Sequence, residues 1–194
     1  DGNAFIDFSA GIGVHNFGHR PPAVVNALKR QADKLWHICY MVSLYNPYTD
    51  LAQAMWEISP KRQLTRSIFL NSGSEANENA LKIARAYTKK IWIASFKTAF
   101  HGRTILDISL TAKEKPYRDG FGPLLPNVLH LDYAYCYRCH LGLEYPSCNL
   151  ACVDKIRETF ESPQYNGQIC ALFLEPIQGE GGFMVPPPGY FQKL

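Results

Sequence analysis

"NSGSEANENALKIAR", residues Asn71–Arg85, opens as a tight polar turn and continues at once as an amphipathic helix. Two explanations suit Asn, Ser, Gly and Ser at a helix mouth. In the first, Ser72 is the N-cap and Glu75 the returning carboxylate of a capping box. In the second, something anionic sits there. The first amides of a helix have no intrahelical partner, the dipole places partial positive charge at that end, and Gly73 lets a phosphate approach the backbone. Behind the turn, Ala76, Ala80, Ile83, Ala84 and Tyr87 recur at helical spacing and predict the inner face, with Lys82, Arg85 and Lys89 turned outward.

The flanks set this stretch in a larger pattern. "RSIFLN" (Arg66–Asn71) reads as a short buried strand feeding the turn. "IWIASF" (Ile91–Phe96) is the next strand, and "QICALFLE" (Gln168–Glu175) is a nearly continuous apolar run, as expected of a strand covered on both faces. Helices are predicted from Pro21–Pro22 to about Trp36, with Val24, Val25, Leu28 and Leu35 inward, over "NPYTDLAQAMWEIS" (Asn46–Ser59), and from about Asn149 to Phe160. Near the front, Phe5 and Phe8 alternate with Asp7 as in a short strand before a glycine-rich loop. Strands alternating with helices predict an α/β domain with a mostly parallel sheet.

Three polar stretches then fall at the ends of strands, where open α/β sheets place their ligands. They are "NSGSEAN" (Asn71–Asn77), "FHGRT" (Phe100–Thr104) and "EPIQGEGG" (Glu175–Gly182). Each alone reads as a cap, a turn or a salt bridge. Their coincidence at equivalent positions is harder to explain that way. A dinucleotide-binding fold is excluded, because no G-x-G-x-x-G opens a helix and Gly73 stands alone at its turn.

In this order and spacing, the three motifs resemble the class III (ω-amino acid) aminotransferases, pyridoxal-phosphate enzymes of the aspartate-aminotransferase fold type, nearest in flavour to the 4-aminobutyrate group. "FIDFSAGIGVHNFGHRPPAVVNAL" (Phe5–Leu28) also resembles that family's N-terminal segment. The resemblance implies residues 1–45 as part of a small domain and the substrate channel, and 46–194 as the first part of an incomplete PLP-binding large domain. It places Ser72, Gly73 and Ser74 at the cofactor phosphate, Phe100 on the pyridine ring with His101 beside it, and Gln178 near the phenolic oxygen. Arg103 would pair with Glu175, Glu180 would cover a substrate-binding arginine, and Ile12 would line the channel. The Schiff-base lysine and that arginine are expected downstream of Leu194, so no catalytic lysine is named here. The implied reaction is transamination of an ω-amino acid with 2-oxoglutarate as acceptor. Acetylornithine, ornithine and alanine–glyoxylate aminotransferases, amino-acid racemases, and a non-catalytic dimerising remnant are the alternatives. A homodimer or higher homo-oligomer is implied.

Bulk composition bounds the rest. The 194 residues are 46% hydrophobic and 19% charged, ordinary globular chemistry, and a net charge of +3 with no basic block gives no footprint for nucleic acid. No apolar run approaches a membrane span and no secretory leader opens the chain, so a cytoplasmic protein is expected. The opening "DGNAFIDFS" and closing "PPPGYFQKL" look cut, as in a fragment. Cys136, Cys139, Cys148 and Cys152 form C-x2-C-x8-C-x3-C, compatible with zinc, with disulfides or with plain thiols, and expected to be structural rather than catalytic.

Overall fold

A computed structural model describes residues 1–194, the side chain of Lys61 excepted. The chain divides into two compact units, Asp1–Ile68 and Phe69–Leu194.

The first unit holds α1 (Ala10–Gly13), α2 (Pro22–Ala32) and α3 (Asn46–Ile58), none with a buried residue. The strand expected at Phe5 and Phe8 does not form, and both rings are exposed. Asp7 instead folds the chain back: its carboxylate accepts from the Ser9 amide and hydroxyl, the Ala10 amide and the His19 ring. These partners, the Ser9 hydroxyl foremost, hold its pKa well below the usual carboxylate range. The second helix stops at Ala32 rather than near Trp36, and Val24 and Leu28 on its expected inner face are exposed. The aromatic rings of Tyr40 and Tyr48 stack at 3.9 Å beside α3.

The second unit is a three-layer arrangement. Strands β1 (Trp92–Phe96), β2 (Val128–Leu131) and β3 (Ile169–Leu172) form a fully parallel sheet in the order β2-β1-β3. The central strand shows why: Ile93 through Phe96 are all buried, so it needs cover on both faces. Ile93 packs with Leu81 of α4 (Gly73–Thr88) and with Leu106 and Leu110 of α5 (Ile105–Leu110). Ala94 and Phe96 pack on the opposite face, with Val153 and Ile156 of α6 (Ala151–Glu161) and Tyr190 of α7 (Tyr190–Lys193). Full burial of Ile93 and Phe96 contributes about 1.5–3 kcal/mol each. Among the described residues no helix is long and apolar enough to cross a membrane.

Three sequence expectations change here. Residues 66–70 form no strand, and Ile68 is exposed. An apolar run becomes a strand only where a ladder receives it, and none does among the described residues. Helix α4 forms as expected, yet turns a different face inward: Leu81 is its buried residue, while Ile83 and Tyr87 are exposed at 59% and 88%. Arg85 is half-buried and donates to the Ile91 carbonyl at 3.1 Å instead of facing water. Finally, β3 is shorter than the expected Gln168–Glu175 run and only half-buried at the sheet edge, although Ile169 and Leu172 pack against one cluster and Cys170 and Ala171 against the other, so both faces have cover.

Candidate active site

The mouth of α4 carries the expected cap. The Glu75 amide donates to Ser72 Oγ at 3.1 Å, so Ser72 is the N-cap. The carboxylate does not return to Ser72 as in a standard capping box. It accepts from the Asn71 amide at 2.7 Å and from Asn71 Nδ2 at 3.1 Å, fastening the turn one residue earlier. Gly73 and Ser74 occupy the first two helical positions, whose amides have no intrahelical partner. A Cβ built on Gly73 would meet nothing within 4 Å, so the space in front of this turn is open.

The second motif is bound directly to the first. Asn77, one turn into α4, donates from Nδ2 to the His101 carbonyl and to Asp107 Oδ1, both at 2.9 Å. Asp107 is fully buried and its other oxygen accepts from Thr104 Oγ1 at 3.0 Å. Gly102 lies at φ +136°, and a Cβ there would stand 2.3 Å from Asp107 Oδ2 and 2.6 Å from Ser74 Oγ. Only glycine lets the Phe100–Thr104 loop cross this close to the helix mouth. Sequence reasoning missed Asn77 and Asp107, although Thr104-x-x-Asp107 repeats the spacing of Ser72-x-x-Glu75.

The third motif is bound to the second. Glu175 accepts from the Phe100 amide at 2.9 Å and from the Gly179 amide at 3.2 Å. These contacts replace the expected Arg103 partner: no ion pair joins Arg103 to Glu175 among the described residues, and Arg103 is exposed. Arg103 instead lines a cavity of about 530 Å³ with Thr104, Ile105, Tyr117 and Phe121. A carboxylate at the end of a strand finds unpaired backbone amides nearby, and these need no long side chain to be ordered. Gln178 is fully buried, its Oε1 accepting from Thr98 Oγ1 at 2.8 Å and its Nε2 donating to the Lys97 carbonyl at 3.4 Å. It holds the loop after β1 against the loop after β3. Tyr133 donates to the Glu175 and Pro176 carbonyls at 3.0 Å, and burial first, with Glu175 second, pushes its phenol up to about 12.

Phe100 and His101 open the loop of the second motif. Phe100 is half-buried, its ring centroid 5.1 Å from that of Tyr117. Buried His101 Nε2 has no hydrogen-bond partner. Burial drives the His101 pKa below its ordinary value, outweighing Glu175 and Asp107, so the ring is neutral at pH 7. Glu180 is exposed, 3.9 Å from Lys113 Nζ, whose ammonium lies 5.7 Å from the Tyr117 ring centroid. Burial, with Glu180 second, raises the Tyr117 pKa. Ile12 is fully exposed on α1 in the first unit. The four clustered cysteines are free and line a separate small cavity.

This arrangement fits a flat phosphorylated ring. The open helix mouth offers unpaired amides to a dianion, the half-exposed Phe100 offers an apolar face, and the orphaned His101 nitrogen offers a polar contact at the ring's edge.

The chain is similar to known proteins. The family model of the class-III aminotransferases matches residues 1–194. The probable 4-aminobutyrate aminotransferase of Bacillus subtilis is 42% identical over 194 residues, all of this chain and 44% of that protein. The leucine/methionine racemase of Thermococcus litoralis is 38% identical over 190 residues, 98% of this chain and 42% of that protein. A PLP-bound amine transaminase from an uncultivated Pseudomonas species superposes with a TM-score of 0.88 at 27% identity, over 97% of this chain and 44% of that one. The chain therefore spans less than half the length of these relatives.

Proposed function

The chain belongs to the class-III aminotransferase family, and on that premise we propose that the full-length protein is a pyridoxal-phosphate enzyme transferring the amino group of an ω-amino acid such as 4-aminobutyrate to 2-oxoglutarate. Residues 1–45 would contribute to a small domain and the substrate channel, with Ile12 lining it, and 46–194 would begin the cofactor-binding domain. The observation that carries this reading is the direct linkage of three strand-end motifs at one helix mouth. Ser74 and Asn77 meet Gly102, His101 and Asp107, and Phe100 meets Glu175.

Bound pyridoxal phosphate supplies an electron sink for the carbon that carries the amine. The residues here would position it. The Gly73 and Ser74 amides, with the Ser72 and Ser74 hydroxyls, would hold the phosphate against the helix dipole. Phe100 would lie on the ring, and neutral His101 would meet its edge without adding a charge. Gln178, spent mostly on Thr98 and Lys97, would bring its remaining hydrogen-bonding capacity to the phenolic side. Glu175, anchored by two backbone amides, would keep the Phe100 loop in register. Glu180 would cover an arginine, absent from this chain, when the donor lacks an α-carboxylate. An unpaired buried arginine would otherwise oppose donor binding.

The exposed Ile83 and Tyr87 face on α4 and the exposed apolar side chains of the first unit fit surfaces covered in a larger homo-oligomeric protein. Racemisation is the second reading, favoured by the 38% identity to a leucine/methionine racemase. Rapid mixing of the loaded full-length protein with 4-aminobutyrate, then 2-oxoglutarate, tests the proposal. Loss and return of the cofactor absorbance, with glutamate formed, is the expected result. An inert 4-aminobutyrate alongside racemised leucine or methionine would replace the first reading with the second.

A further inference from the structure

Between β2 and α6 the chain makes a long irregular excursion that holds three of the six cysteines, and a fourth, Cys152, lies in the first turn of α6. Cys136 begins a single 3-10 turn, Cys136–Arg138, and Cys139 ends it. Cys148 precedes α6, and Cys152 is the second residue of that 11-residue helix. All four side chains, with His140, line one cavity of about 20 Å³, roughly the space of one water molecule. The other two cysteines are elsewhere: Cys39 in the first unit and Cys170 in β3.

The chemistry of this cavity is that of a soft cation's cage. Four cysteines line a single atom-sized space, beside apolar neighbours such as Leu141, Leu143 and Leu150. A C-x2-C pair on a tight turn facing a second pair at a helix start is a common way to present four sulfurs tetrahedrally. Among the described residues no three Cys, His, Asp or Glu side chains already stand at metal-holding distance, so the ion would draw the sulfurs inward.

We infer that Cys136, Cys139, Cys148 and Cys152 form a structural zinc site that staples the 132–150 excursion to the start of α6. Binding exchanges four thiol protons for one Zn²⁺, the protons leaving to solvent, and involves no change of oxidation state. Zinc–sulfur distances of about 2.3 Å are expected once it is loaded. The site is independent of the pyridoxal-phosphate reading, since no cofactor-site residue lines it.

The test uses the full-length protein purified under reducing conditions with zinc present. About one zinc per chain should survive gel filtration. Cys148→Ser and Cys152→Ser should lose it, while Cys39→Ser and Cys170→Ser keep it. If the cluster variants do not fold, the wild-type protein still decides: removing zinc with a strong chelator should expose four additional reactive thiols. Replacement by Co²⁺ should give thiolate charge-transfer bands and tetrahedral d–d absorption. A zinc-free protein whose cluster thiols all titrate under native conditions, or one in which they are paired as disulfides, would overturn the assignment.

Discussion

Replacing Gly102 by Ala should separate the two helix-mouth motifs at their tightest crossing. At φ +136° an L-residue is strained, and backbone strain of this kind costs roughly 1–3 kcal/mol. The added methyl would also stand 2.3 Å from Asp107 Oδ2 and 2.8 Å from Asp107 Cγ. Asp107 cannot retreat cheaply. It is fully buried and fixed at 2.9 Å by Asn77 and at 3.0 Å by Thr104. Moving it strands a buried polar group, at about 1–3 kcal/mol more. The total is therefore roughly 2–6 kcal/mol. Chemical denaturation of full-length wild type and Gly102→Ala, with and without pyridoxal phosphate, reads this cost. Cofactor affinity should fall as well, because Ser74 Oγ lies 2.6 Å from the same methyl position. A variant within about 0.5 kcal/mol of wild type, the range of an ordinary surface change, would refute the crossing as drawn. Unchanged cofactor affinity would refute its link to the helix mouth.

Other outcomes follow from the same geometry. Ser72→Ala should cost about 1 kcal/mol through the lost Glu75 cap, measured by denaturation, whereas Ser72→Asp should restore stability. Glu180→Ala in the full-length protein should slow the ω-amine half-reaction much more than the α-amino-acid one. Equal losses in single-turnover kinetics would place the gate elsewhere. His101 and His130 both have pKa values lowered chiefly by burial. The unfolded chain then binds more protons than the folded one as pH drops through their ordinary value of 6.5, so stability present above that pH should decline below it. NMR titration of the two rings checks the sign, and a midpoint above 6.5 for either would contradict it.

Several features were legible in the residues because their causes are local. The start of α4 is written in Ser72 and Glu75, and β1 and α6 fall within two residues of the predicted bounds. What failed depends on distant partners. "RSIFLN" has the composition of a strand but meets no ladder among the described residues. On α4, helical spacing alone fits two apolar stripes, Ala76–Ala80–Ile83–Tyr87 and the one through Leu81. Only the position of Ile93 beneath Leu81 selects the second. Arg85 looked like a surface cation because helical spacing does not show that the chain turns at Lys89 and brings the Ile91 carbonyl back to it. Likewise Glu175 attracted an arginine in the sequence reading, while the fold supplies two backbone amides first. Asp107 escaped notice because an acid inside "ILDISL" looks like an isolated helix polar residue until Gly102 and Asn77 close around it.

The central claim is that the mouth of α4 is a phosphate seat completed by the loops after β1 and β3. A crystal structure of the full-length protein with pyridoxal phosphate tests it most directly. The account predicts phosphate oxygens about 2.7–3.1 Å from the Gly73 and Ser74 amides, with the ring lying on Phe100. A phosphate held elsewhere, with the Gly73 turn left to water, would contradict it.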